Sequence, residues 1–205
     1  MLTLKPFPKI RAIRGRPLIG GYVPIFNLGG GLYILPMEGR IGSPDQAVIL
    51  LAEDRPDDIL MVQKGFQQAG VPNPFLVVRN GEEVVAYLEG LGHFSNRQRF
   101  PFPELLLLDL KMPRMDGFEV LEWIRSHPDF RPLRVVVLTS SEDIRDVNRA
   151  YRLGANSFLV KPFEFENYVS LAETIATFWF EHNKAVRITE AHAPPVRTSS
   201  SAPGQ

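Results

Sequence analysis

The sequence predicts an α/β fold, a doubly wound parallel sheet of five strands in a (βα)5 plan with helices on both faces. Three observations lead there. From residue 47 onward, apolar runs of strand length alternate five times with segments of helical periodicity. Most connections are short, and parallel strands need crossovers of this kind, which are right-handed. The four leucines from Leu105 to Leu108 form an unbroken apolar run, as expected of a strand buried on both faces.

The first strand is predicted over 47–52, ending at Glu53-Asp54. A helix follows over 57–69, because Ile59, Val62, Phe66 and Ala69 recur at helical spacing. Phe75 to Val78 forms the second strand, closed by the Asn80-Gly81 turn signal. Helix 82–91 and a long loop from Gly92 to Pro103 lead to the third strand, 104–109. Phe118, Leu121 and Ile124 mark the third helix, which stops at His127-Pro128. Leu133 to Leu138 is the fourth strand, and Ser141 is the expected N-cap of a helix over 142–153, with Gly154 at its C-terminal end. Ser157 to Val160 is the fifth strand. The last helix runs from Phe165 to Phe180, with Tyr168, Leu171, Ile175 and Phe178 expected to face inward.

Composition limits what this globular part can do. The absence of cysteine excludes disulfides, thiolate metal sites and cysteine nucleophiles, and fits a reducing, cytoplasmic setting. Residues 47–184 carry fifteen basic and twenty acidic residues, a net of −5, which argues against nucleic-acid binding. Residues 1–36 carry five basic residues and no acid. Pro24, Asn27 and five glycines interrupt their uncharged stretch, so neither a signal peptide nor a membrane span is expected. The expected division is a disordered extension over 1–46, one domain over 47–184 and a disordered tail over 185–205, rich in Ala, Pro, Ser and Thr.

Ligands of open α/β sheets bind outside the carboxyl ends of the strands. Glu53-Asp54 stand at that end of the first strand, Asp109 of the third, Thr139 of the fourth and Lys161-Pro162 of the fifth. Three carboxylates packed together repel one another unless a cation joins them. Oxygen ligands in a shallow, hydrated site suit Mg²⁺. Lys161 and Thr139 are placed to bind oxygens of a phosphoryl group on Asp109. Taken singly, each has a plainer use: Glu53-Asp54 as caps of the next helix, Asp57 and Asp58 as charges stabilising its N-terminus.

Together these residues resemble the receiver domains of two-component response regulators, the CheY-like fold. The resemblance covers 47 to about 180 and includes Glu53-Asp54, the segment Leu105 to Gly117 with its Met-Pro and Asp-Gly elements, Thr139 and Lys161-Pro162-Phe163. The intervals of 30 residues from Asp109 to Thr139 and 22 to Lys161 agree. It implies a flavodoxin-like sheet of order 2-1-3-4-5 and a protein that is no conventional enzyme. Asp109 would accept phosphate from a histidine kinase and assist its own transfer and hydrolysis. Asp54 and Asp109 would ligate Mg²⁺, with Glu53 acting through water and Lys111 through its carbonyl. Thr139 and Phe158 would be switch residues, and the Lys161-Pro162 bond is expected to be cis.

The long loop, the run Tyr151 to Lys161 and Phe178-Trp179 are similar to standalone receivers associated with bacterial phytochromes, which implies a phytochrome-type kinase as partner. With 21 residues after Lys184, no DNA-binding output domain is expected. Output is therefore expected through the surface of the fourth helix, fifth strand and fifth helix, as a homodimer or a docked partner, with Trp179 among the exposed aromatics. A haloacid-dehalogenase-like phosphatase also places Asp, Thr and Lys at strand ends. It needs a second Asp two residues after the nucleophile, where this chain has Lys111. A pseudo-receiver that never carries phosphate is the other alternative, opposed by the complete set of acids, Thr and Lys.

Overall fold

The structure, a computed structural model, describes residues 47–182 together with the short strands Phe26–Asn27 and Leu32–Tyr33. Those two strands pair antiparallel, where the sequence reading placed no element. The expected disorder over the rest of 1–46 and over 185–205 lies outside the described residues.

Five strands form the parallel sheet: β1 Ile49–Ala52, β2 Phe75–Val78, β3 Leu105–Leu108, β4 Arg134–Thr139 and β5 Ser157–Val160. Their order is β2-β1-β3-β4-β5, the doubly wound arrangement expected. Five helices connect and cover them: α1 Pro56–Gln68, α2 Gly81–Glu89, α3 Gly117–Ser126, α4 Ile144–Arg152 and α5 Phe165–Ala176.

Alternation along the strands splits the core in two. Leu50, Ala52, Leu106, Leu108, Val135 and Val137 pack with side chains of α2, α3 and α4, whereas Ile49, Leu51, Leu105, Leu107, Val136 and Leu138 pack with α1 and α5. All four leucines of β3 are fully buried. Each such burial stabilises the fold by roughly 1.5–3 kcal/mol.

The helix ends show why these segments stop and start where they do. Asn80 caps α2 by accepting from the Glu83 N–H at 2.9 Å. Asp116 and Glu119 form a reciprocal capping box at the start of α3. Gly117 follows because the backbone approaches closely there: a Cβ would lie 2.3 Å from the Asp109 carbonyl oxygen. The loop 92–103 is folded rather than loose. Phe94 and Phe100 are buried, Tyr87 donates to the Pro101 carbonyl at 2.6 Å, and Arg97 donates to the Tyr87 and Leu88 carbonyls at the end of α2.

Three local expectations need correction. Asp143, not Ser141, caps α4, accepting from the Arg145 N–H at 2.8 Å. Ser141 is buried and donates instead to Asp146 at 2.6 Å. The last helix does not stay α-helical to Phe180: after Ala176 it continues as a π-helical turn over Thr177–His182. Phe178 is 54% exposed while Trp179 is 7% exposed, the reverse of the sequence reading, because Trp179 continues the buried stripe of Tyr168, Ala172 and Ile175. Arg134 fixes this arrangement, donating to the Trp179 carbonyl at 2.9 Å with its guanidinium 5.7 Å from the indole. Finally, the described residues contain no cis peptide bond, so Lys161-Pro162 is trans. The intrinsic preference of an X–Pro bond is already for trans, by about 0.5–1 kcal/mol.

Candidate functional site

Glu53, Asp109 and Lys161 are each held by one ladder hydrogen bond beyond the end of their strand. The Glu53 N–H donates to Val78 at 3.0 Å, the Asp109 N–H to Ala52 at 3.0 Å and the Lys161 N–H to Thr139 at 2.8 Å. The sheet thus delivers Glu53, Asp54, Asp109, Thr139 and Lys161 to one edge, as the sequence predicted.

Lys161 is the centre of the cluster. Its Nζ donates to Glu53 Oε2 and to Asp58 Oδ2 at 2.9 Å, and lies 3.2 Å from Asp109 Oδ1. Only 4% of the Lys161 side chain and none of the Glu53 side chain is exposed. The other Asp109 oxygen, Oδ2, accepts from the Lys111 N–H at 2.8 Å. Burial pushes the Glu53 carboxyl up to about 7, against the pull of the Lys161 ammonium. Burial alone would pull Lys161 down, but the facing carboxylates of Asp109 and Glu53 outweigh it and hold its pKa above the ordinary value.

Asp54 is different. Its Oδ1 is buried and has no hydrogen-bond partner among the described residues, although a buried carboxylate oxygen ordinarily finds one. One ligand atom each from Glu53, Asp54 and Asp109 lies within 4.8 Å of the others. An orphaned carboxylate oxygen beside two more carboxylates is the donor set of a hard, oxygen-loving cation, so these residues fit a divalent metal.

Thr139 is buried, and its Oγ1 accepts from the Ser141 N–H at 3.4 Å. Phe158 is half-buried and packs on the α2–α3–α4 side of the sheet. Sequence reasoning missed one member of the cluster. Asp58 was assigned to the helix N-terminus, yet its side chain reaches Lys161. The signal was position: α1 begins three residues after Glu53, so a residue in its first turn stands beside the end of β1.

The family model for the response regulator receiver domain matches residues 49–173. The response regulator Rcp1 of Synechocystis sp. is 36% identical over 134 residues, covering 65% of this chain and 89% of that protein. Its Mn(2+)-bound crystal structure is similar with a TM-score of 0.62 at 34% identity, over 69% of this chain and 99% of that one. The phosphorylated cyanobacterial phytochrome response regulator RcpA gives a TM-score of 0.64 at 32% identity, covering 69% of this chain and 99% of that chain. RPA3017, a response regulator in red light signalling of R. palustris, gives 0.66 at 33% identity over the same shares of 69% and 99%. Among the described residues no helix is long and apolar enough to cross a membrane.

Proposed function

Because this chain belongs to the response regulator receiver domain family, and is a response regulator of two-component signalling, we propose that Asp109 is its phosphoacceptor. The observation that carries the reading is the Lys161 ammonium, held 3.2 Å from Asp109 beside the orphaned oxygen of Asp54. In the transfer, the P–N bond of a phosphohistidine breaks, a P–O bond to an Asp109 carboxylate oxygen forms, and the leaving imidazole takes up a proton. Lys161 neutralises charge on the phosphoryl oxygens, and Thr139 donates its hydroxyl to one of them. Asp54, Asp109, the Lys111 carbonyl and, through water, Glu53 would hold Mg²⁺. When bound, the metal supplies further charge neutralisation at the phosphoryl group.

The partner is a sensor histidine kinase of phytochrome type, supported by the likeness to RcpA and RPA3017. The protein acts in the cytoplasm, without nucleic acid or membrane, and is no conventional enzyme. Thr139 and Phe158 pass the phosphorylated state to α4. Readout runs through the α4–β5–α5 face, where Tyr151 is 50%, Val160 39% and Phe178 54% exposed. Acetyl phosphate with Mg²⁺ should give a hydroxylamine-labile phosphoprotein, and Asp109→Asn should abolish labelling. Equal labelling of the variant would refute the assignment. On sedimentation, phosphorylation should favour a homodimer that Tyr151→Arg weakens.

A further inference from the structure

Asp58 does more than begin a helix. An ammonium has three N–H donors and no acceptor. In this structure Glu53 and Asp58 each accept one, both from the side of β1 and α1, while Asp109 stands 3.2 Å away on the β3 side. The Asp58 side chain is 15% exposed and that of Lys161 4%, so the contact is shielded from water. Shielded carboxylate–ammonium contacts fix geometry in a way that surface pairs do not. Asp58 also adds a fourth carboxylate to an already anionic cluster. That placement is costly unless the carboxylate is paired; Asp58 Oδ2 lies 2.9 Å from Lys161 Nζ and, more loosely, 3.8 Å from the exposed Arg55 guanidinium.

We propose that Asp58 is a positioning residue for phosphoryl transfer. With Glu53 it pins two of the three Lys161 donors, so that the third is directed at Asp109 and at the phosphoryl oxygens arriving there. Glu53 alone leaves the ammonium free to rotate about the Nζ–Glu53 contact and to drift along the long lysine stem. This role rests on Asp109 being the phosphoacceptor.

The neighbouring Asp57 supplies the control. It lies in the same first turn of α1 and carries the same charge, but its side chain is exposed. Asp57→Asn and Asp58→Asn therefore share any helix N-terminal effect and differ in the Lys161 contact and in the exposed pair of Asp58 with Arg55, which is worth little. At saturating Mg²⁺ and acetyl phosphate, Asp58→Asn should lower the phosphorylation rate by roughly tenfold, the lower range for loss of an outer-shell partner. Half-saturation should be unchanged, Asp57→Asn should match wild type, and Asp58→Glu should recover part of the rate. In the unphosphorylated protein, the ¹⁵N–¹H ammonium resonance of Lys161 should shift or broaden in Asp58→Asn and persist in Asp57→Asn. If wild type is labelled and the two Asn variants share one rate and one Lys161 resonance, the positioning role is wrong. If wild type takes no label on Asp109, it is the phosphoacceptor reading that fails, and an unmoved resonance then removes the Asp58 role as well.

Discussion

Arg114, in the loop between Asp109 and α3, holds a left-handed backbone with φ of 69°. A side chain there costs roughly 1–2 kcal/mol. Its ion pair with Glu82, at 3.3 Å between two largely exposed side chains, offsets little of that. Arg114→Gly should therefore raise stability by about 0.5–1 kcal/mol after the entropy glycine adds to the unfolded chain; a lower denaturation midpoint would contradict the strain. Gly117 is the opposite case, since a Cβ would meet the Asp109 carbonyl oxygen at 2.3 Å. Gly117→Ala should cost about 1–3 kcal/mol and slow phosphorylation, because the clash displaces the acceptor's own backbone. Asp143 gives a pH signature. Side-chain hydrogen bonds from Arg145, joined by its backbone N–H, hold the carboxyl at about 2. Its support for the α4 cap is present above the ordinary carboxylate value and lost as pH falls through about 2. An NMR titration midpoint near 3.8 instead would show that the pair does not form in solution. Glu53, Asp54, Asp109, Thr139 and Lys161 were legible in the sequence because each ends a strand whose apolar run is obvious. Asp58 was not, because acidic residues in a first helical turn have a sufficient local reason to be there.

Among the elements, the π turn at the end of α5 departs furthest from expectation. The buried stripe Tyr168, Ala172, Ile175 and Trp179 keeps ordinary helical spacing, so the expectation of Phe178 inside was off by one residue, while nothing in Thr177–His182 announces the π turn. Arg134, distant in sequence, ties the end of this helix to the sheet by donating to the Trp179 carbonyl. Trp179→Ala should cost about 3–5 kcal/mol, as large core truncations do. Phe178→Ala should change stability by no more than about 0.5 kcal/mol and act on self-association instead. Comparable losses for both would contradict the burial of Trp179 and the exposure of Phe178. The N-cap of α4 was misassigned for a similar reason. Ser141 is a good cap by type, but its hydroxyl is engaged by Asp146 one turn into the helix.

At the scale of the whole molecule, the sheet is complete between Ile49 and Val160, and the family match begins at residue 49. We propose that residues 1–36 are dispensable for folding and phosphorylation. A chain starting at Met37 should melt within a few degrees of full length. A large loss would show that the strand pair at 26–33 supports the domain. The strand order has a further consequence for how the site breathes. Asp109 follows β3, the middle strand, whose residues are fully buried, whereas Lys161 follows β5, an edge strand of half-buried and exposed residues. Amide hydrogens of Leu106 to Leu108 should exchange with solvent deuterium only through global unfolding, while those of Ser157 to Val160 exchange through local opening. Asp109 would then belong to the slowest-exchanging part of the protein and Lys161 to one of the fastest. An edge that opens and recloses would carry Lys161 away from Asp109 and back while Asp109 stays in place, and on the proposed function the rate of β5 opening would then time how long a phosphoryl group there is protected.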